Sequence, residues 1–407
     1  MKSPLNAIFR PRAVAVIGAS RRSGSIGREI LNNLVAGDFQ GKVFPVNPNA
    51  EVVHSMKCYR SVLEIPDPID LAVIAVPATE VEAVVDECGR KGIQGLVVIT
   101  AGFAETGERG RGEEAQLREL CNDHGMRMIG PNCMGVINTD PRHRLNATFS
   151  PGRPLAGKVA FLSQSGALGV AILNVARRIG LGVSMFASIG NKADVTAGDL
   201  LEYWADDRRT DLILMYLESL GDPAAFTRRA RDLSRKKPIV IVKSGRTSAG
   251  ARAAAGHTGA LAGREAFIEA LCEQCGLIRV DSIEELFDVG KAIATQPLPA
   301  GDRVAVVTNA GGPGIMATDA LIAHELEIAP LSEKTREVLR AGLPAAASII
   351  NPVDMLADAG VKEYGLTLSA VLQDPGVDAA VVIFVPPIMA DPIRVSRRIF
   401  REARSLR

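Results

Sequence analysis

From Ala13 onward the chain alternates short apolar runs with amphipathic stretches, and this alternation constrains the fold more than any other feature. AVAVIGAS, GKVFPVNP, LAVIAVP and GLVVITAG read as buried strands, each followed by a helix-like segment such as REILNNLVAG or VEAVVDECGRKG. Strands that are apolar on both faces need cover on both sides, and intervening helices supply it, so the pattern predicts α/β units with parallel sheets. The 407 residues exceed the roughly 250–300 at which a single core stops growing, and three domains are expected. With 39 Gly against 12 Phe, 4 Tyr and one Trp, tight turns are abundant, which suits stacked α/β units better than a β-sandwich.

Breaks in the pattern divide the chain. MRMIGPNCMGVIN reads as a further strand, and RHRLNATFSPGRPLAGK, rich in Pro and Gly without periodicity, reads as a linker, so a boundary is expected near 140–157. The pattern restarts in KVAFLSQSGALGVAILNVARRIG, continues through GVSMFASIGNK, DLILMYLES, PIVIVKSG and LIRV, and pauses at QPLPAG near 296–301. RVAVVTNAGGPGIMATDALIAHEL and AAVVIFVPPIM begin a third series. The helix-like IRVSRRIFREARSLR would ordinarily lead to another parallel strand, so the third domain is expected to be truncated. The expected domains are 1–145, 156–296 and 301–407.

Charge and cysteine usage exclude several classes. Lys and Arg number 47 against 46 Asp and Glu, a net charge of +1, which carries no footprint for nucleic acid. Six cysteines are too sparse for a disulfide scaffold, and MKSPLNAIFRPRAVAVIGAS lacks the apolar core of a signal peptide, so a cytoplasmic protein with free thiols is expected. Cys272 and Cys275 form a CxxC without further ligands, and no metal site is expected. No apolar stretch approaches the roughly 20 residues of a membrane span.

Several strand-to-helix turns could hold anions. Gly18, Ala19 and Ser20, followed by Gly24, Ser25 and Gly27, let backbone N–H groups approach a phosphate at a helix start. The NAD fingerprint also needs an acidic residue at the end of the second strand, where this chain has Asn47 and Asn49, so a nucleotide other than NAD is favoured over it; a merely tight turn is the alternative. Loops at Pro77, Thr100 and Asn132 occupy the corresponding strand ends and should converge on one crevice, although Asn and Thr also stabilise turns. Ser165–Gly166 begins a second such helix, where Ser could simply be a cap, and Gly311–Gly312 a third. His257 lies between Ser248 and Ala260 among almost only small residues, which predicts an exposed loop, whereas a lone His is usually structural. A neutral imidazole attacks phosphorus or acyl carbon when one nitrogen is oriented by an acceptor, and Glu218 at the end of DLILMYLES is the candidate.

With these residues in place, the whole chain resembles the NDP-forming acyl-CoA synthetases, the superfamily that includes succinyl-CoA synthetase and ADP-forming acetyl-CoA synthetase. The resemblance rests on VAVIGAS, VFPVNP, AVPA, VVITAGFAE, GPNCMGVIN, FLSQSGALG, SIGNKAD, GHTGAL, VTNAGGPGI and NPVD in this order. It implies a Rossmann-like CoA-binding domain followed by two flavodoxin-like, succinyl-CoA synthetase-like domains. It implies CoA phosphates near Gly18, Ser20, Ser25 and Gly27, with Asn47 beside them, and the thiol arm near Pro77, Thr100 and Asn132. His257 matches the histidine that is phosphorylated, Glu218 the carboxylate that orients it, and the helices at Ser165–Gly166 and Gly311–Gly312 the two that face the phosphate. The implied α-type chain of an ADP-forming acetate–CoA ligase passes through acyl phosphate and phosphohistidine, on a loop that swings to ADP.

Nothing in the chain resembles the family's ATP-grasp domain, so ATP or ADP and Mg2+ are expected on a partner β subunit or fused domain, in an oligomeric assembly. Pro386–Pro387 stand where succinyl-CoA synthetase has paired glycines, which turns the expected substrate from succinate towards acetate or another small acid, used with phosphate. A CoA-sensing region of a fused protein lysine acetyltransferase is the alternative, disfavoured by His257 and Glu218, and an NAD-dependent oxidoreductase is a third.

Overall fold

β1 (Ala13–Ile17) sends Val14 and Val16 into one buried cluster and Ala13, Ala15 and Ile17 into another, the two-residue period of a strand covered on both faces. The computed structural model describes residues 3–245, 265–388 and 391–405. β1 is joined by β2 (Lys42–Val46), a short hairpin of β3 (Val52–Val53) and β4 (Met56–Lys57), then β5 (Leu71–Ile74), β6 (Gly95–Val98) and β7 (Arg127–Ile129). Five of these form a parallel sheet in the order β2-β1-β5-β6-β7. The helix Ile26–Ala36 turns Gly27, Ile30, Leu31 and Leu34 inward, the 3.6-residue spacing of a helix laid on that sheet.

The second sheet comprises β8 (Gly135–Asn138), β9 (Leu145–Thr148), β10 (Ala156–Ser163), β11 (Val183–Ser188), β12 (Leu212–Leu217), β13 (Ile239–Lys243) and β14 (Ile278–Val280), in the order β14-β13-β12-β10-β11-β8-β9. β10 to β14 are parallel, whereas β8 runs antiparallel to both β11 and β9. Two expectations are corrected here. MRMIGPNCMGVIN is not one strand: β7 closes the first sheet, and after a turn through Gly130 and Pro131, β8 enters the second. The supposed linker contains β9, whose Leu145 and Ala147 are buried while Asn146 and Thr148 hydrogen-bond to each other; flanking Arg and Pro masked this short alternation.

Residues Met1–Gln296 form one compact unit, and Pro297–Arg407 a second. A single cluster explains the first: Val14, Leu71 and Val97 of the first sheet, Leu162, Met215 and Ile241 of the second, and Trp204 share one core. In the second unit β15 (Arg303–Thr308) pairs in parallel with β16 (Glu327–Ile328), β17 (Val353–Asp354) and β18 (Ala379–Ile383), over a core that includes Val307, Leu339, Tyr364 and Leu368. Among the described residues no helix is long and apolar enough to cross a membrane.

Candidate active site

In the first sheet β2 lies on one side of β1 and β5 on the other, so the chain changes direction at the carboxyl end of β1, the usual ligand crevice of such sheets. Gly18 sits there at φ 92°, and a Cβ would overlap the carbonyl of Ala75 after β5. A Cβ on Gly27 would overlap the carbonyl of Gly18, so both glycines hold the helix start against the strand end. Ser20 Oγ accepts from Arg22 N at 3.1 Å, and Ser25 precedes the helix while its hydroxyl donates to Arg22 O at 2.8 Å. Asn47 Nδ2 donates to Ala19 O at 2.6 Å, which braces the glycine turn from β2. Pro77 opens the helix Ala78–Lys91, Thr100 Oγ1 donates to Val76 O at 2.7 Å, and Asn132 N donates to Thr100 O at 2.9 Å. Thus the loops expected to converge do so, joined side by side. A helix start held this close to a strand end is the kind of place where backbone N–H groups meet a phosphate.

The second sheet has its own crevice, where β11 and β12 flank β10. Ser165 caps the helix Gly166–Arg178, accepting from Leu168 N at 3.4 Å, and Gly166 is its first residue. Gln164 Oε1 accepts from the backbone N–H of both Glu218 (2.9 Å) and Ser219 (3.0 Å), and so fixes the turn that carries the Glu218 carboxylate. Lys192 Nζ donates to Ser219 O at 2.7 Å and to Ser219 Oγ. Burial pushes the Lys192 ammonium down to about 8 against the pull of Glu218, with Lys243 repelling it. Burial likewise lowers the pKa of Lys243, which closes β13. His257 lies outside the described residues.

The two crevices are connected. Asn132 Nδ2 donates to Asn191 Oδ1 at 3.3 Å, and Asn191 Nδ2 donates to Glu105 (2.6 Å) and Glu114 (2.8 Å). Burial opposes ionisation of Glu105, but hydrogen bonds from Asn191 and backbone outweigh it and lower its pKa; at Glu114 burial prevails and the pKa rises. Gln164, Asn191, Lys192, Lys243, Glu105 and Glu114 were missed in the sequence reading. Gln164 lies in FLSQSGALG, Glu105 in VVITAGFAE, and Asn191 and Lys192 in SIGNKAD, but nothing in these motifs shows that Lys192 adopts φ 55°. In the second unit Gly311 begins the helix Gly311–Ala323 beside Asp354, and a Cβ on Gly312 would meet open space. Cys272 and Cys275 are buried on the helix Glu265–Cys275, and burial raises the pKa of both thiols.

Comparison with known proteins places this geometry. Three family models match in sequence: a CoA binding domain at residues 12–139, a succinyl-CoA ligase like flavodoxin domain at 156–293, and a ligase-CoA domain at 304–407. The α subunit of acetate–CoA ligase [ADP-forming] II from Pyrococcus furiosus is 46% identical over 387 residues, covering 95% of this chain and 83% of that subunit. The chain belongs to the NDP-forming acyl-CoA synthetases. It is of the ADP-forming acetate–CoA ligase α-subunit type. A solved structure of the superfamily, dinucleotide forming acetyl-coenzyme A synthetase 1 from Ca. Korarchaeum cryptofilum in complex with phosphate and ADP, superposes with a TM-score of 0.95 at 40% identity, covering 99% of this chain and 86% of that one. Acetate–CoA ligase [ADP-forming] I from Archaeoglobus fulgidus is 42% identical, and there this chain spans 56% of the relative. The superfamily's CoA-binding and flavodoxin-like domains thus correspond to the first and second sheets.

Proposed function

We propose that this chain carries the CoA crevice and the phosphorylated histidine of an ADP-forming acetate–CoA ligase. The carrying observation is that Gln164 holds the turn that carries Glu218 after β12, in a crevice wired through Asn191 to the loop of Asn132. CoA would lie with its phosphates at Gly18, Ser20, Ser25 and Gly27, Asn47 bracing that turn, and its thiol arm along Pro77, Thr100 and Asn132. A phosphate oxygen attacks the thioester carbonyl, the C–S bond breaks and CoA leaves as the thiolate, giving acyl phosphate. A lone pair on His257 then forms the N–P bond while the P–O bond breaks, its electrons leaving with the carboxylate. Glu218 accepts from the other ring nitrogen and keeps it protonated, so that the attacking nitrogen is unprotonated.

The helix start at Ser165–Gly166 offers about half a positive charge to the phosphoryl group, at most about 2 kcal/mol. ADP and Mg2+ would sit on an ATP-grasp domain from a partner chain or a fused segment, in an oligomeric cytoplasmic enzyme. Acetate is the acid proposed, from the names of the P. furiosus and A. fulgidus relatives. Incubation with acetyl-CoA, magnesium and radiolabelled phosphate is expected to label the protein, and His257→Ala to abolish labelling. Binding of CoA without any phosphoenzyme would instead favour a CoA-sensing role.

A further inference from the structure

Beyond the residues already given roles, one side chain in the second crevice has a conformation and partners that an ordinary turn does not need. We propose that Lys192 is a positioning residue for Glu218, holding the turn that carries this carboxylate and linking it through Asn191 to the loop of Asn132; the inference rests on the function proposed above. Lys192 lies in the left-handed region, at φ 55°, directly after Gly190 and Asn191. A non-glycine residue there is strained, and such strain persists where the surroundings need the side chain. The backbone around it is held by Lys192 N donating to Ile189 O at 2.9 Å and Asn191 N donating to Pro131 O at 3.0 Å.

Neighbouring side chains diverge from this bend. Asn191 reaches Asn132, Glu105 and Glu114 on the first sheet's side, while Lys192 reaches Ser219 on the second's. The groups that face the ammonium are the Glu218 carboxylate after β12, which attracts it, and Lys243 at the end of β13, which repels it. Tyr216 of β12 also feels Glu218, and burial raises its pKa. Among the described residues Glu218 is the charge that attracts this half-buried lysine, whose desolvation is a cost, so its place at this bend fits a duty towards Glu218.

The test is phosphoenzyme formation from radiolabelled acetyl phosphate, which needs His257 and Glu218 but not CoA, followed between about pH 5 and 10. Lys192→Met is expected to slow labelling about tenfold or more, with CoA affinity by calorimetry changed less than about twofold. In the wild-type chain the rate should fall above pH about 8, as the ammonium loses its charge. Lys192→Arg should recover part of the lost rate and lack this alkaline fall, since guanidinium stays charged. An unchanged rate in Lys192→Met, or an alkaline fall that survives in Lys192→Arg, overturns the inference. A wild-type chain that acetyl phosphate does not label overturns the functional reading and this inference with it.

Discussion

Two glycines of the first crevice differ from others nearby in what surrounds them. Gly27 has the carbonyl of Gly18 where a Cβ would stand, whereas Gly112, on the exposed side of the helix Glu108–Asp123, has nothing within 4 Å. Gly27→Ala must therefore push the helix start off the strand end, and isothermal titration should show CoA affinity reduced about tenfold or more, worth about 1.4 kcal/mol. Gly112→Ala should leave CoA affinity unchanged and raise stability by about 0.5–1 kcal/mol through helix propensity. The resemblance singled out Gly18 and Gly27 by their place in a motif. Which carbonyl each must accommodate depends on β5 and on the helix that begins at Ile26, and so could not be read from neighbouring residues.

Between elements, a further link from the first sheet to the segment of Asn191 and Lys192 is Asp194. Its carboxylate accepts from Arg127 Nε at 2.9 Å and from Met128 N at 2.7 Å, both on β7. Burial opposes the Arg127 charge, but Asp194 outweighs it and draws the pKa up. Asp194→Ala leaves Arg127 with the more distant Asp199, at 3.8 Å, and strands the Met128 N–H. Urea unfolding should show a loss of about 2 kcal/mol, below the figure for a fully buried pair because the Arg127 side chain is 26% exposed. Strands β1, β2, β5 and β6 were legible because each is a run of apolar residues between turn signals. β9 was not, because Leu145–Thr148 is four residues long and half polar, and it is a strand only because β8 pairs with it.

At the scale of the molecule the described residues form two units, Met1–Gln296, in which one buried cluster spans both sheets, and Pro297–Arg407, with a core of its own. Calorimetry should resolve two transitions. Tyr364 is fully buried and donates to Ile383 O at 2.6 Å, so Tyr364→Ala should lower only the transition of the second unit, by about 3–5 kcal/mol. CoA at about 100 times its Kd should raise only that of the first, by about 2.7 kcal/mol. Equal shifts in both transitions would contradict separate cores. Residue order alone was enough for the α/β class and the glycine turns, because hydrophobic period and local backbone demands are written over a few consecutive positions, and the ordered motifs carried the resemblance to the family. Packing decided the rest. That both sheets share one core, that β8 and β9 run antiparallel, and that Asn191 and Lys192 join the crevice of Asn132 to that of Glu218 all depend on contacts between residues far apart in the chain, whose partners no local pattern names.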